Sequence, residues 1–372
     1  MSALVESLTD ETFVLNLGPQ HPATHGVLRV KLRMDGEYIV EAEPVLGYIH
    51  RMHEKMGENR TWLQYLPNTA RLDYLHALAF NHVYVNAVER ASGIEVPQRA
   101  EYIRVITAEM NRISSHLLWF GAFVLDLGGF TPLLYAFDDR EQLLDLLEAI
   151  TGSRLTYCYF RFGGVCCDID DTFINGTKTF IKRMRERLVM YRNLVTDNVI
   201  IIKRLKDIGP ISAEMCRRYG ATGPVARGSG INFDVRRHEP YSVYPEFDFD
   251  IPVYHECDSM ARYMVRMDEM EQSLRIIEQA LDKLPDGPYL LPKAPKIVKP
   301  AKGDIYQAVE SARGSLGMRI VSDGSNTPYR LKWRSPTFSN LSLFGEACIG
   351  MLLPDALALM GSLDLVIPEI DR

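Results

Sequence analysis

Cysteine pairs at metal-binding spacing are missing from this chain. Its six cysteines are Cys158, Cys166, Cys167, Cys216, Cys257 and Cys348, and none stands in a Cys-x-x-Cys pair. Adjacent Cys166 and Cys167 have neither zinc nor iron–sulfur spacing, so reduced and mostly buried thiols are expected. Long apolar runs are missing too: none approaches the roughly 18 residues that span a bilayer. Residues 1–15 carry Glu6, Asp10 and Glu11 and lack the basic start and apolar centre of a secretory signal. Positive charge is not in excess, because the net charge is −6, and this argues against a nucleic-acid-binding chain. Gly163-Gly164 and Gly228-x-Gly230 open no strand–helix phosphate pattern, and no Ser/His/Asp hydrolase signature is present. The expectation is a soluble, cytosolic chain that reaches a membrane only through partners.

What is there fills a large core: 372 residues, 47% of them hydrophobic. Leu28, Val30, Leu32 and Met34 alternate with Arg29, Lys31 and Arg33, predicting a half-buried strand, and Asp35-Gly36 turns it into Tyr38–Glu43. Apolar periodicity predicts helices from Asp73 to about Ala91, Glu101 to Leu127, and over 174–208 and 258–284, while Asp138 to Gly152 reads as a capped helix with acidic residues at its start and glycine after its end. In the last of these, Met260, Met264, Met267 and Met270 read as core filler. Gly223–Asp250 has little periodicity, and Pro285–Lys302 reads as an exposed extended connection. Strand-like alternation returns over 304–334 with a turn at Asp323-Gly324. Leu343–Leu363 reads as short and helical, Asp364–Arg372 as irregular. The predicted class is α+β, helix-dominated, with small sheets near both ends. One domain over 1–372 is expected, with a β-hairpin region at about 12–45, a helical core at about 62–285 and a β-and-tail region at about 303–372.

Three clusters can carry chemistry. The loop Gly18-Pro-Gln-His-Pro-Ala-Thr-His-Gly-Val-Leu-Arg29 holds His21 and His25, candidate proton donors near neutral pH. The plainer alternative is that both satisfy backbone carbonyls. Arg71-Leu-Asp-Tyr74, with His76 beside it, offers a phenol that can donate a hydrogen bond or a proton, unless Tyr74 is an ordinary core tyrosine. Asp126 ends the apolar stretch from Trp119, where a carboxylate is costly without a partner. His50 and His53 lie at i, i+3 but match no zinc-protease spacing, and no third ligand stands nearby, so no metal site is expected.

Gly18–Arg29, Gly47-Tyr-Ile-His-Arg51, Glu58-Asn-Arg-Thr61 and Arg71-Leu-Asp-Tyr74 closely resemble the D-subunit family of NADH-quinone oxidoreductases, respiratory complex I. The resemblance continues through Arg112-Ile-Ser-Ser-His-Leu117, Asp126-Leu-Gly128, Phe162-Gly-Gly-Val165, Asp234-Val-Arg236 and Glu310-Ser-Ala-Arg-Gly314, and ends on Glu369-Ile-Asp-Arg372. It spans nearly the whole chain. That family is similar to the large subunit of nickel–iron hydrogenases, which implies a long-helix bundle of that kind. The hydrogenases hold their metals with two Cys-x-x-Cys pairs, which this chain lacks.

The resemblance implies a quinone-headgroup pocket instead, beside the terminal [4Fe–4S] cluster of a partner subunit. The family's quinone ligands fall on His25 and Tyr74, with Asp126 pairing the histidine. A carboxylate behind an imidazole favours its protonated form, and donors at both carbonyl oxygens stabilise the charge gained on reduction. His50 and Arg51 fall near the terminal cluster, although Met52 stands where glycine is usual. Thr156 stands where many relatives have a histidine. The expected result is a lower cluster potential with weaker pH dependence, suited to a low-potential quinone such as menaquinone, with ubiquinone the alternative. Pro368 also replaces a usual glycine. The implied partners are the iron–sulfur B subunit, the C and I subunits and the membrane-embedded H subunit, with FMN and NADH elsewhere in the complex. The chain itself is expected to hold no metal. The implied location is the cytoplasmic face of the cell membrane, held peripherally, with coupling to proton pumping. Alternatives are a catalytically silent scaffold, or the same role in a relative fed by ferredoxin or a deazaflavin.

Overall fold

Alternation at period two and apolar stripes at period 3.6 sort this chain into small antiparallel sheets and long helices. The structure, a computed structural model, describes residues 12–19, 26–295 and 297–372. His21 and His25 lie outside the described residues.

Near the N-terminus β1 (Phe13–Leu17), β2 (Arg29–Asp35) and β3 (Tyr38–Val45) form one antiparallel sheet in that order. β2 follows the expected alternation, with Leu32 and Met34 buried and Lys31 and Arg33 exposed. Two short helices follow, α1 (His53–Glu58) and α2 (Trp62–Thr69), the second opened by a Thr61–Gln64 capping box.

The long helices are α3 (Ala77–Ser92), α4 (Gln98–Asp126), α5 (Phe130–Thr151), α6 (Asp171–Tyr191) and, after the short α7 (Val199–Leu205) and α8 (Ala213–Tyr219), α9 (Ser259–Asp282). With 29 residues, α4 is about 44 Å long and is the axis of the bundle. Its apolar face joins α3, α9 and the strands β6 (Gly303–Ser311) and β7 (Gly314–Ser322) in the larger core cluster. The class is α+β and helix-dominated. Among the described residues, no helix is long and apolar enough to cross a membrane.

Several boundaries differ from expectation for local reasons. The helix expected from Asp138 begins at Phe130, because Pro132 is tolerated in a first turn. The single helix expected over 174–208 breaks at a π-helical turn, Arg192–Thr196, and Asn198 caps a new helix through the Ile200 amide. Asp364–Arg372, expected to be irregular, holds the helical turn α12 (Ile367–Asp371), with Pro368 in its first turn. Before it come α10 (Pro336–Ser342), after strand β8 (Arg330–Arg334), and α11 (Leu353–Ser362). A small hairpin pairs β4 (Phe160–Arg161) with β5 (Gly164–Val165).

A sharp constraint is the β6–β7 turn. Ser311 pairs with Gly314, leaving only Ala312 and Arg313 in the turn, and both are buried. A Cβ on Gly314 would lie 2.6 Å from the Gly223 amide nitrogen and 2.7 Å from the Thr222 carbonyl carbon, at φ +127°. Neither neighbour is a side chain that can swing away. Gly314→Ala is therefore expected to destabilise the protein by about 2–4 kcal/mol, from backbone overlap plus conformational strain. Gly93→Ala, with nothing within 4 Å, should lose only about 1–2 kcal/mol for its left-handed φ. Thermal melts of the two variants check the order.

Candidate functional site

The buried β6–β7 turn plugs into the segment that carries Tyr74. The Ala312 amide donates to His76 Nδ1 at 2.8 Å, and Arg313 Nη1 donates to Asp73 Oδ2 at 2.8 Å. Asp73 Oδ1 accepts the amides of Leu75 and His76 at 2.9 and 3.1 Å. This side chain therefore fixes the turn on which Tyr74 stands and closes the N-terminus of α3. His76 is a core histidine: Nδ1 accepts, Nε2 faces the Ala108 carbonyl at 3.2 Å, and burial holds its pKa well below the ordinary value. The structure removes it from the candidates for proton exchange.

Tyr74 is half-buried. Burial first, then the Asp73 carboxylate, raise its pKa, against the pull of Arg313. Among the described residues no hydrogen bond uses its hydroxyl, so the phenol keeps its proton and presents it. Arg313 also donates to Ser115 Oγ at 3.2 Å and to Asp364 Oδ1 at 3.3 Å. Asp364 adopts φ 54°, a left-handed conformation that aspartate tolerates.

The C-terminal turn draws the remaining loops together. Asp371 accepts the amides of Gly47 and Ile49, each at 2.9 Å, and its carbonyl meets His50 Nδ1 at 2.6 Å. The Arg372 carbonyl accepts from the His53 amide, and Arg372 Nη1 donates to the Trp333 carbonyl at 2.9 Å. A Cβ on Gly26 would lie 2.6 Å from Ile367 Cγ1, so the chain that leaves the His25 loop also abuts this turn. Thus the Tyr74 turn, the His50–Arg51 loop and Gly26 meet residues 364–372. Arg51 and His50 are exposed, whereas His53 is buried. Burial, then Arg51, Arg71 and His50, push the His53 pKa down to about 4, so it is neutral near pH 7.

Two further expected residues are Asp126 and Thr156. Asp126 is the exposed last residue of α4, so its carboxylate escapes the apolar burial that the sequence implied. A cavity of about 330 Å³ opens beside it, lined by Leu127, Pro132, Leu194 and Ile200 among others. Thr156 adopts φ 52°, a strained conformation for a β-branched residue. Its loop is tied to α5, where Arg154 pairs with Asp145 and Glu148, each at 2.7 Å. Among the described residues no group of three or more His, Cys, Asp or Glu side chains could hold a metal ion.

Sequence reasoning missed a buried ionic network running between α4 and α9. Seven arginines are essentially fully buried: Arg104, Arg112, Arg227, Arg236, Arg262, Arg266 and Arg313. Glu109 accepts from Arg112 at 3.0 Å, Tyr244 at 2.7 Å and Ser273 at 2.6 Å. Arg227 bridges Glu269 and Glu310, and Glu269 also meets His116 Nε2 at 3.0 Å. The signal was available: Arg262, Arg266, Glu269 and Ser273 recur at four- and three-residue steps, the spacing of a helix seam.

Comparison with known proteins gives one answer. The family described as respiratory-chain NADH dehydrogenase, 49 kDa subunit, matches residues 126–372. The NADH-quinone oxidoreductase D subunit of Desulfotalea psychrophila is 76% identical, over 98% of this chain and 98% of that protein. A second such protein, D subunit 2 of Opitutus terrae, is 67% identical, over 97% of this chain and 91% of that protein. A chain of the membrane-bound sulfane sulfur reductase, an archaeal respiratory membrane complex, is 36% identical with a TM-score of 0.94. The match covers 98% of this chain and 100% of that one.

Proposed function

Since the chain belongs to the family of the 49 kDa subunit of respiratory-chain NADH dehydrogenase, we propose that it is the quinone-site subunit of a membrane-attached NADH-quinone oxidoreductase. The observation that carries this reading is Tyr74: a half-buried phenol, on a turn fixed by Asp73, whose pKa is raised and whose hydroxyl bonds to none of the described residues. Reducing a quinone places negative charge on its carbonyl oxygens and consumes two protons. A proton-loaded phenol meets one oxygen, and its hydrogen bond strengthens as that charge develops. On the family resemblance, His25 meets the other oxygen, with Asp126 as its acid.

Electrons arrive from a partner subunit's iron–sulfur cluster, which His50 and Arg51 face. Membrane partners hold the complex at the cytoplasmic face and carry out proton pumping. Menaquinone is the acceptor suited to threonine at position 156. A donor other than NADH, whether ferredoxin or a deazaflavin, leaves the role of this chain unchanged.

A photoreactive azidoquinone tests the reading on the intact membrane complex. It should label a peptide of this chain containing Tyr74, and excess native quinone should suppress that label. Labelling confined to other subunits would overturn the proposal and favour the scaffold alternative.

A further inference from the structure

Behind Tyr74 the C-terminal turn carries an acid with no task so far. Glu369 is fully buried on α12. Its Oε1 accepts from the Ser335 hydroxyl at 3.0 Å and the Thr337 amide at 2.9 Å, while Oε2 has no partner among the described residues. A buried carboxylate with one bare oxygen is costly, whereas a carboxylic acid in the same place is tolerated.

Nor is any cation among the described residues bonded to it. Arg313 is shared between Asp73 and Asp364, and Arg266 lies 3.9 Å from Asp364. Arg334 spends its guanidinium on Thr222 and on the carbonyls of Ser315 and Gly220. On its own turn, Asp371 holds the loop of His50 and Arg51, and Arg372 holds the Trp333 carbonyl. His53, behind that loop, is neutral. Asp73, Asp364 and Glu369 thus crowd around one guanidinium that already serves two of them.

We propose that Glu369 holds a proton in the resting protein and refills Tyr74 after that phenol has protonated a reduced quinone. The proposal rests on the quinone reading of the Tyr74 site. Tyr74 gives its hydroxyl proton to the oxyanion of the reduced headgroup and becomes a phenolate. Glu369 then loses its carboxyl proton, which passes to the phenolate. Glu369 is left ionised until a proton from water reloads it, so each cycle relays one proton and consumes none.

The directions agree. Burial first, then the Asp73 charge, push the Glu369 pKa up to about 7 against the pull of Arg313. The phenol stands above its ordinary value of 10.0, so transfer from carboxyl to phenolate runs downhill. Glu369 is a positioning residue here, because it acts through Tyr74 and touches no substrate.

The test uses the intact complex in its membrane. Glu369→Gln keeps an acceptor oxygen for Ser335 and Thr337 and removes only the exchangeable proton. The kcat for quinone reduction should fall about tenfold with KM nearly unchanged. The native complex should lose kcat as pH rises through about 7, and in the glutamine variant that fall should vanish. Glu369→Asp retains an acid and should keep that limb at a displaced pH; it decides the matter even where the glutamine variant does not assemble.

Thermal stability supplies a readout independent of activity. The folded pKa lies above the ordinary carboxyl value of 4.5, so Glu369 stabilises fully below about 4.5. That contribution is lost as pH rises toward about 7, and the loss should be absent in Glu369→Gln. A glutamine variant with native kcat, an unmoved alkaline limb and native pH dependence of melting overturns the proposal. If azidoquinone labelling of Tyr74 stands in that case, only the reservoir falls; if labelling fails, the quinone reading falls with it.

Discussion

Tyr74→Phe is expected to lower quinone reduction by about 100-fold or more while the complex assembles normally. Only the hydroxyl is deleted, and among the described residues no hydrogen bond depends on it. The ring remains on the turn that Asp73 closes through the Leu75 and His76 amides. The loss should therefore appear in kcat, because the missing interaction is one that strengthens as the headgroup oxygen gains charge. Electron delivery to a water-soluble acceptor that intercepts electrons upstream of quinone should be unchanged. Asp73→Asn is the informative companion. It keeps an acceptor for the two amides but removes the charge that faces Arg313, so both stability and turnover should suffer. Native turnover in Tyr74→Phe, with the variant confirmed by mass, would remove the phenol from the mechanism.

Much of this architecture was legible because its signals are local. Alternation marked β2, apolar periodicity marked α3, α4 and α9, and Asp35-Gly36 marked the first hairpin. The misreadings share one physical cause: a polar residue was interpreted by its sequence neighbours when its partner is distant. Asp138 and Asp139 looked like first-turn acids of a helix. Asp139 is instead buried in the middle of α5, where it accepts from Arg183 and Arg187 at 3.1 and 3.0 Å. Residues 364–372 looked irregular, since five apolar and four charged or polar neighbours in nine positions form no stripe. Their order comes from four segments that are remote in sequence, met through Asp364, Ile367, Glu369 and Asp371. Within the candidate site, Tyr74 and the His50–Arg51 loop were identified from motifs. Arg313 and Glu369 stood in quoted motifs with no role attached, because a charge acquires its meaning from the other charges buried beside it.

Arg227→Met should show how much of the fold that hidden network carries. Arg227 Nη1 donates to Glu310 Oε1 and to the Phe233 carbonyl, each at 2.9 Å, and its other nitrogen serves Glu269. Asp234 lies 3.6 Å away. Methionine fills much of the same volume, so the cavity term is small and the electrostatic term dominates. Three buried carboxylates are left with Arg236 and Arg112, which already hold Glu109. Deleting one partner of a buried ion pair typically costs about 3–5 kcal/mol, a large share of a domain's stability of about 5–15 kcal/mol. The expected outcome is a sharply lower melting temperature and little assembled complex in the membrane.

An exposed pair makes the control: Arg319→Met breaks the contact with Asp304 and should change stability by at most about 1 kcal/mol. The sign of the pH response then separates charge from shape. Burial and Asp234 already raise the Glu310 pKa, with Arg227 foremost among the arginines opposing them. Without Arg227 that pKa rises further, and an acid with a raised folded pKa stabilises at low pH and loses its contribution as pH climbs. The gap between Arg227→Met and the native protein should accordingly narrow on acidification from pH 7 toward about 5. A gap that is constant across that range would assign the damage to packing, and the network would then be a passenger in the fold rather than a source of its stability.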